Sequence, residues 1–349
     1  MNFAIMAGGT GGHIFPGIAV AKSLQKKGHQ IFWLGAVGGM EERIVKQHGI
    51  KLTLLPIKPL RGKGLVGMVT MPFRLLKGIW QARRFFQQNH IHAAISMGGY
   101  VAAPGGFATR LCDTKLIVHE QNSVFGLTNK NLAKWAQKVL TGFDLKQQHE
   151  AQWVGNPVRD SIENINKQFN RTSPINVLVL GGSLGAQSLN QLIPKSLSTW
   201  IEDGTIKIKH QCGKDKLRAT KAAYGDLSLE VDIQEFIQNM AGAYQWADVC
   251  ICRAGALTIA EISTVGIPTL FVPYPHAVDD HQTHNALSLV NKGAALMWQE
   301  RAAQTEFVAL FEQLIDPVLR QQMQQALQAI KKTHVSAHIA SLCEEVVSA

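Results

Sequence analysis

The pattern that decides the fold lies in residues 248–285, which read DVCICRAGALTIAEISTVGIPTLFVPYPHAVDDHQTHN. A short apolar run, Val249–Cys252, leads through Arg253–Ala256 into apolar residues spaced for one face of a helix. This order predicts a strand, a glycine turn and a helix, followed by a second buried strand at Leu270–Val272. Units of this kind build parallel α/β sheets.

The start of that helix is a predicted anion site. Thr258 is followed three residues later by Glu261, which is the capping-box spacing, so we expect Thr258 to be the N-cap. The free N–H groups and partial positive charge of a first helical turn favour a bound diphosphate by about 0.3–2 kcal/mol. The polar loop after the second strand carries Gln282 and Asn285, and we expect this loop to face the same ligand.

The same strand–turn–helix device opens each half of the chain. Residues 2–24 read NFAIMAGGTGGHIFPGIAVAKSL, and residues 175–197 read INVLVLGGSLGAQSLNQLIPKSL. We therefore predict an α/β protein with two Rossmann-like domains. Their predicted bounds are 1–157 and 158–335, with a C-terminal helix at 336–349 that packs back on the first domain.

Neither glycine turn carries the fingerprint of a nucleotide cofactor. Ile14 and Ser183 stand where glycines of the G-x-G-x-x-G pattern belong, and no Gly-Lys-Ser/Thr follows either turn. NAD binding and a P-loop are therefore disfavoured, and no cofactor is expected. The adjacent acids Asp279 and Asp280 do not form a ligand set, so no metal is expected either.

Candidate site residues follow several of the predicted strands. His13 lies at the start of the first helix beside four glycines that give it little to pack against, so it is a candidate base, with a structural histidine as the open alternative. Met97–Tyr100 and His119–Asn122 come where ligand-contacting loops of wound sheets lie. For Asn122, a buried cap is the alternative. Backbone groups near Phe236–Met240 are expected to read the edge of a base.

The net charge of +10 is concentrated in one segment. No Asp or Glu occurs between Arg43 and Cys112, and basic residues interleave with large apolar ones from 61 to 86. This mixture is typical of a protein that binds an anionic membrane surface, at about 1 kcal/mol per basic residue. A core-facing helix with a solvated basic face remains open. Nucleic acid is disfavoured because no recognition motif accompanies the charge.

The overall composition is that of a soluble globular protein, with 46% hydrophobic and 17% charged residues. Five cysteines without a C-x-x-C pair favour a reducing compartment. No window is apolar enough to cross a bilayer, and the first residues do not have the pattern of an export signal.

Eight motifs, taken together, closely resemble the MurG family. In chain order they are GGTGGHIFP, MGGYVAAP, HEQNSVFGLTN, GNPVR, GGSLGAQSLN, EFIQNM, CRAGALTIAE and PYPHAVDDHQTHNA. The resemblance implies a GT-B fold with two parallel-sheet domains facing a central cleft. It also implies inverting transfer of N-acetylglucosamine from UDP-GlcNAc to undecaprenyl-diphospho-muramoyl-pentapeptide (lipid I), which gives lipid II for peptidoglycan synthesis and so supports cell shape and division. A peripheral protein on the cytoplasmic face of the inner membrane is implied as well.

The resemblance further implies roles for individual residues. Donor contacts are implied for Thr10, Gly11, Gly12, Asn122, Arg159, Ser183, Ile237, Ala256, Leu257, Thr258, Ile259, Ala260, Glu261 and Gln282. His13 matches the family's proposed base, and Tyr100 and Glu120 match residues near the acceptor. The family usually has Ser at position 254 and Pro at position 125, where this chain has Ala254 and Phe125.

The chemistry of the side chains adds two expectations. Glu261 is expected to accept hydrogen bonds from ribose hydroxyls, and Gln282 and Asn285 to bind sugar hydroxyls. Two rival functions stay open. One is a related GT-B enzyme with another UDP-sugar or lipid acceptor, and the other is a non-catalytic basic scaffold that binds membranes or RNA.

Overall fold

A computed structural model describes most of the chain in two compact units. The described residues are 1–57, 65–145, 150–167, 173–182 and 184–349, with the backbone alone for 65–71. The first unit comprises Met1–Val158 and His334–Ala349, and the second comprises Arg159–Thr333.

In the first unit the described strands form a seven-stranded parallel sheet in the order β3-β2-β1-β4-β5-β6-β7. The strands are β1 (Asn2–Met6), β2 (Gln30–Ala36), β3 (Lys51–Leu55), β4 (Ala93–Ser96), β5 (Lys115–Glu120), β6 (Lys138–Thr141) and β7 (Gln152–Trp153). The chain builds outward from β1 in one direction and then reverses at β4. The carboxyl ends of β1 and β4 therefore form a topological switch point, where open α/β sheets bind ligands.

Helices cover both faces of this sheet. They are α1 (Gly11–Lys26), α2 (Met40–Gln47), α3 (Leu65–Gln88), α4 (Ala102–Ala108) and α5 (Leu127–Leu132), with a short 3-10 helix at Thr109–Leu111. Because side chains of a strand alternate, Phe3 and Ile5 of β1 enter the core on the α1 and α2 side. Ala4 and Met6 enter the core on the side of α3, α4 and α5. Both cores exclude water from β1, which explains its uninterrupted apolar sequence.

The second unit repeats the plan with a six-stranded parallel sheet, ordered β10-β9-β8-β11-β12-β13 among the described residues. Its strands are β8 (Ile175–Leu180), β9 (Ile206–Gln211), β10 (Asp232–Gln234), β11 (Val249–Cys252), β12 (Thr269–Phe271) and β13 (Leu296–Met297). Its helices are α6 (Asp160–Glu163), α7 (Gln187–Glu202), α8 (Leu217–Tyr224), α9 (Met240–Trp246), α10 (Ala256–Val265), α11 (His281–Val290), α12 (Gln304–Ile315) and α13 (Pro317–Ile330). The switch point lies between β8 and β11, directly before α10.

The chain returns to the first unit in its last helix, α14 (Val335–Ser348). Ile339 and Cys343 of this helix are fully buried in the core that also contains α1. At its surface Glu344 accepts hydrogen bonds from Lys27 and, at 2.7 Å, from Nε2 of His29. These two bonds hold the pKa of Glu344 below its usual value. The predicted C-terminal helix therefore packs on the first unit.

Within the described residues, no helix combines the length and the apolar character needed to cross a membrane.

Gly185 in the second unit leaves no room for a side chain. Its φ is 70°, and a Cβ at this position would overlap the carbonyl oxygen of Cys212. Gly204 has nearly the same φ, 73°, but a Cβ there would meet nothing within 4 Å. The two glycines therefore separate the cost of the left-handed backbone from the cost of close packing.

We expect Gly185→Ala to lower the free energy of unfolding by about 3 kcal/mol or more, because left-handed strain of about 1–2 kcal/mol adds to an overpacking cost of about 1–3 kcal/mol. Gly204→Ala should show only the strain, about 1–2 kcal/mol. Denaturant unfolding of both variants measures the difference. Equal losses in the two variants would contradict the close packing of Gly185 against Cys212.

Candidate active site

Three loops meet at one edge of the first sheet, since β5, β4 and β1 are parallel neighbours whose carboxyl ends point the same way. The loop after β1 leads into α1, and Thr10 is the N-cap of that helix without a side-chain capping bond. The first N–H groups of α1, including those of Gly11 and Gly12, have no intrahelical acceptor. This edge therefore gathers free backbone donors at the sheet's switch point.

His13 is the third residue of α1 and is half-buried. Its Nδ1 lies 2.8 Å from Oε1 of Gln121, in the loop after β5. Gly98 and Gly99, after β4, have φ values of 90° and 79° and lie against the imidazole ring. A Cβ at Gly98 would stand 3.2 Å from His13 Cε1, so a larger residue there would crowd the ring. The structure thus brings His13 together with both predicted loops.

Tyr100 lies beside the first glycine turn. A Cβ added at Gly9 would stand 3.3 Å from Cε1 of the tyrosine ring. Burial raises the pKa of Tyr100, and the negative charge of Glu41 raises it further. The hydroxyl therefore stays protonated at neutral pH and is suited to donate a hydrogen bond rather than to act as a base.

Glu120 is placed differently from its predicted catalytic role near the acceptor. Its side chain is 2% exposed. Its carboxylate accepts hydrogen bonds from the backbone N–H groups of Asn122 at 3.1 Å and Gly126 at 3.2 Å. The side-chain amides of Asn122 and Asn129 donate to it as well, at 3.2 and 3.0 Å. Because four donors occupy about as many acceptor positions as a carboxylate has, Glu120 organises the loop in this structure, and its role near the acceptor stays a prediction.

Glu41 is a site-forming residue that the sequence did not reveal. Its fully buried carboxylate accepts from the N–H of Ala36 at 2.8 Å and from that of Gly9 at 3.2 Å. A Cβ at Gly8 or Gly39 would overlap the carboxyl group. Glu41 thus holds the first glycine turn through its hydrogen bond to Gly9, and the absence of side chains at Gly8 and Gly39 leaves the space that its carboxyl group fills. The glycines near the end of β2 were the feature of the sequence that could have indicated a buried side chain at Glu41.

The helix at the second switch point begins earlier than predicted. Gly255 is the N-cap of α10, so Thr258 is the third helical residue and the expected capping box with Glu261 is wrong. Glycine caps nearly as well as threonine, and the turn after β11 places Gly255 where the helix must start. The N–H groups of Ala256, Leu257 and Thr258 remain without intrahelical acceptors, so the anion-binding character of this end is retained.

Glu261 lies one turn further into α10, and it is 5% exposed. Its Oε1 accepts from Nε and Nη2 of Arg159 at 3.1 and 2.7 Å, and its Oε2 accepts from the hydroxyl of Tyr244 at 2.9 Å. Burial raises the pKa of Glu261, and the arginine opposes that shift. Two predicted donor residues, Arg159 and Glu261, are therefore joined in one ion pair. Tyr244 was not expected in this group.

Arg253, just before this helix, is a second residue that the sequence left without a role. Its Nη1 donates to the carbonyl oxygens of Val272 and Pro273, both at 3.0 Å, and to Glu300 at 2.8 Å. Its Nη2 donates to Ser188 at 2.9 Å. One guanidinium group therefore ties the end of β11 to the end of β12 and to α7, which fixes the polar loop that follows β12.

The other residues predicted to bind the UDP-sugar differ in which of their polar groups are already hydrogen-bonded within the protein. The N–H of Ile237 already donates to Oε1 of Gln211 at 3.0 Å, so only its carbonyl is left to read a base. Oε1 of Gln282 accepts from the N–H of Tyr274 at 2.9 Å, which leaves its NH2 group to bind a ligand. Ser183 lies outside the described residues.

Asn285 is fully buried, and its Nδ2 donates to the carbonyl of Ala254 at 3.2 Å. In this structure Asn285 supports the turn before α10, and its contact with sugar hydroxyls stays a prediction. Ala254 is itself fully buried, so the departure from serine leaves no exposed gap at that position.

Across the described ranges, no group of three or more His, Cys, Asp or Glu side chains is arranged to hold an ion.

Two buried histidines are expected to make stability depend on pH. Burial lowers the pKa of His119 to about 4, although its hydrogen bond to Gly155 opposes the shift, and burial lowers the pKa of His210 to about 3. The unfolded value is about 6.5, so the stabilising contribution is complete above pH ~6.5 and is lost as the pH falls toward 4 and 3. We expect a loss of about 3 kcal/mol for each, measured by denaturant unfolding from pH 7 to pH 4.

His210→Gln should flatten that pH dependence. His338→Gln, which changes an exposed histidine of α14, provides the matched control and should leave the slope as in the parent protein. A slope that is the same in all three proteins would show that His210 is not held neutral by burial.

Comparison with known proteins agrees with this architecture. Residues 3–141 match the N-terminal domain model of glycosyltransferase family 28, and residues 176–342 match its C-terminal domain model. A crystal structure of Acinetobacter baumannii MurG is 37% identical, covers 99% of both chains and superposes with a TM-score of 0.85. The glycosyltransferase of kitacinnamycin, at 14% identity and a TM-score of 0.73, shares the fold.

Curated relatives extend the similarity over nearly the full length. A protein of Dechloromonas aromatica is 41% identical over 98% of both chains, and one of Alkalilimnicola ehrlichii is 43% identical over 99% of both. Each carries the name UDP-N-acetylglucosamine–N-acetylmuramyl-(pentapeptide) pyrophosphoryl-undecaprenol N-acetylglucosamine transferase. Two Rossmann-like units with glycine turns at their switch points define a glycosyltransferase of the GT-B fold. Within that class, the chain belongs to the MurG family of glycosyltransferase family 28.

Proposed function

We propose that this protein transfers N-acetylglucosamine from UDP-GlcNAc to undecaprenyl-diphospho-muramoyl-pentapeptide, with inversion at the anomeric carbon. The relatives named for this reaction, which are matched over almost their whole length, support the choice of substrates. The structural observation that carries the proposal is the uncapped first turn of α10, whose N-cap is Gly255 without a side-chain capping bond. It offers backbone donors and positive potential to a leaving diphosphate.

The second unit, predicted as residues 158–335, is assigned to the donor. The first turn of α10 holds the diphosphate, together with Ser183. Arg159 and Glu261 form a charged pair whose remaining donors and acceptors suit ribose hydroxyls, since a carboxylate has about four acceptor positions and three are in use. The carbonyl of Ile237 accepts from the base, and the amide of Gln282 binds the sugar.

The first unit, predicted as residues 1–157, is assigned to the acceptor. His13 accepts the proton of the attacking hydroxyl while that oxygen bonds to the anomeric carbon, and the electron pair of the broken bond leaves with UDP. The free N–H groups at Thr10–Gly12, the Tyr100 hydroxyl and Asn122 bind the substrates around this histidine. The reaction needs no cofactor, because the proton and the charge are both handled by the chain's own groups.

A transfer assay tests the proposal directly. Purified protein is incubated with a soluble lipid I analogue and one of several UDP-sugars, and both UDP release and the glycosylated product are measured. Transfer restricted to UDP-GlcNAc is expected. Transfer from another UDP-sugar, or to a different lipid alone, would favour the related GT-B enzyme. No UDP release with any acceptor would favour the non-catalytic scaffold.

We also propose that α3 binds an anionic membrane surface at the cytoplasmic face of the inner membrane. Its inner side is buried through Phe85 and Phe86, whereas Phe73, Leu76 and Trp80 are 73%, 63% and 59% exposed. A helix that only faced the core would not expose three large apolar residues on its outer side. Basic residues share that side, namely Arg74, Lys77, Arg83 and Arg84. Nucleic acid is not among the proposed partners.

We expect Leu76→Ser to weaken binding to vesicles of anionic phospholipid by about 10-fold, since a buried leucine contributes about 1.5–3 kcal/mol. Added salt should weaken the binding of the parent protein further. The matched control is Leu229→Ser, which changes a leucine that is 90% exposed in the second unit. Sedimentation with vesicles measures both. Equal binding by the two variants would remove α3 as the membrane-binding surface.

A further inference from the structure

A chain of hydrogen bonds runs from His13 into the interior of the first unit. Nδ1 of His13 lies 2.8 Å from Oε1 of Gln121, and Nε2 of Gln121 lies 3.0 Å from Nδ1 of His119. Nε2 of His119 in turn lies 3.0 Å from the carbonyl oxygen of Gly155. Gln121 and His119 are almost completely buried, so water does not compete for these bonds.

The backbone determines which way the Gln121 amide points. Its Nε2 also lies 3.0 Å from the carbonyl oxygen of His119. A carbonyl oxygen can only accept, so the atom facing it must be the NH2 group. The amide oxygen therefore faces His13 whatever the protonation of the two rings, and it accepts a hydrogen from Nδ1.

The far end of the chain determines the state of His119. Because the Gly155 carbonyl only accepts, Nε2 of His119 carries a hydrogen, and its Nδ1 accepts from Gln121. Burial lowers the pKa of His119 to about 4, so the ring is neutral at physiological pH. Every donor in this row of hydrogen bonds thus faces an acceptor. The orientations of the Gln121 amide and of the His119 ring are both fixed by backbone carbonyls.

We propose that Gln121, held by His119, is a positioning residue that keeps His13 in the tautomer with hydrogen on Nδ1 and the lone pair on Nε2. This inference rests on the proposed role of His13 as the base, because only a lone pair can take the proton from the acceptor hydroxyl. Gly98 and Gly99 help, since they lie against the ring and restrict its rotation.

The alternative is a purely structural role, in which Gln121 only joins the end of β5 to α1. Such a role predicts a loss of stability on substitution with no change in the tautomer or in the pH profile. A positioning role predicts a fall in kcat with little change in the donor KM, because Gln121 acts on the proton-accepting ring and is not itself among the residues proposed to bind the donor.

Nitrogen NMR of the protein labelled with 15N-histidine tests the tautomer without measuring activity. His13→Ala assigns the His13 signals by their loss. In the parent protein, neutral His13 should show a protonated Nδ1 and an unprotonated Nε2, and in Gln121→Met it should show a mixture of both tautomers. A protonated Nε2 in the parent protein would overturn the proposal, as would an unchanged tautomer in a folded Gln121→Met. If that variant does not fold, the spectrum of the parent protein alone decides.

Kinetics of two variants provide the second test. Gln121→Met should lower kcat by about 10-fold, because only the rings with the lone pair on Nε2 can accept the proton and the ring also loses the bond that orients it. Gln121→Glu keeps an acceptor opposite Nδ1 and adds a negative charge, which favours the positively charged form of the His13 ring. The acidic limb of its kcat/KM profile should then move to higher pH, while its second oxygen, facing the His119 carbonyl, should lower stability. An unmoved limb together with an unchanged kcat in Gln121→Met would contradict the proposal.

The experiments distinguish the proposed base role of His13 from the proposed tautomer of its ring. If His13→Ala retained transfer while the NMR showed the expected tautomer, the base assignment would fall and the hydrogen-bond chain would stand. If His13→Ala abolished transfer while the neutral ring of the parent protein carried its hydrogen on Nε2, the proposed role of Gln121 would be refuted and the base assignment would be supported.

Discussion

We expect His13→Ala to lower kcat by about 100- to 10,000-fold, the range that a positioned base contributes to proton transfer. The expectation follows from the position of the ring, which is half-buried at the third residue of α1, among the loops after β1, β4 and β5. Its Nδ1 is occupied by Gln121. The other nitrogen, Nε2, is therefore the one that can accept a proton.

The loss should fall on the chemical step. Donor affinity, measured by UDP-GlcNAc binding to the variant, should stay within about 2-fold of that of the parent protein, because a base removed from the transition state leaves ground-state binding intact. Thermal unfolding should change little, since His13 is only half-buried. The matched control is His338→Ala, at an exposed site on α14. Near-normal turnover in His13→Ala with the soluble acceptor would refute the assignment.

We expect Glu261→Gln to raise the donor KM by about 10- to 100-fold, because a hydrogen bond to a charged group worth about 1.5–3 kcal/mol is weakened. The substitution removes the charge that holds Arg159, at 2.7 Å, and so disturbs both proposed ribose contacts at once. Titration of the variant with UDP and with UDP-GlcNAc measures the effect. Tyr244→Phe removes the other partner of Glu261 and keeps the charge, so its donor KM should change much less.

The same variant separates binding from stability. Burial raises the pKa of Glu261 above its usual value, so the parent protein loses stability from this group as the pH rises from about 4.5 through the raised pKa. Glu261→Gln lacks that loss. At pH 7–8 its free energy of unfolding should therefore stay close to that of the parent protein, because Arg159, whose side chain is 43% exposed, stays hydrated when its partner is neutral, although donor binding is weaker. A destabilised variant with unchanged donor affinity would reverse both assignments.

The local pattern was enough to predict both halves of the fold. Apolar runs such as Val249–Cys252, each followed by a glycine turn and a helical periodicity, indicate strands buried on both faces, and this predicts parallel sheets. The prediction of His13 as a candidate base rests on a similar argument, because a histidine beside four glycines at a helix start has few packing partners. These inferences use neighbours within about ten residues, where sequence spacing and spatial contact agree.

The start of α10 is a feature that the local sequence pattern predicts wrongly. Thr258 and Glu261 fit the capping-box spacing, yet Gly255 is the N-cap. The position of the N-cap depends on contacts between residues that are far apart in the sequence. Arg253 is tied to the ends of neighbouring elements, and Asn285 donates to the carbonyl of Ala254, 31 residues away along the chain. Those bonds set where the turn ends and the helix begins.

The sequence by itself determined the two-unit α/β architecture, the glycine turns and the family, because these depend on periodicity and on motifs short enough to read along the chain. The tertiary structure decided the chemistry of individual side chains. Gln121 lies 108 residues from His13, and only folding places its amide oxygen on Nδ1. Burial, which makes His119 neutral and encloses the side chains of Glu120 and Asn285, is likewise a property of the folded chain. Hydrogen-bond partners and desolvation are set by neighbours in space, which the order of residues does not specify locally.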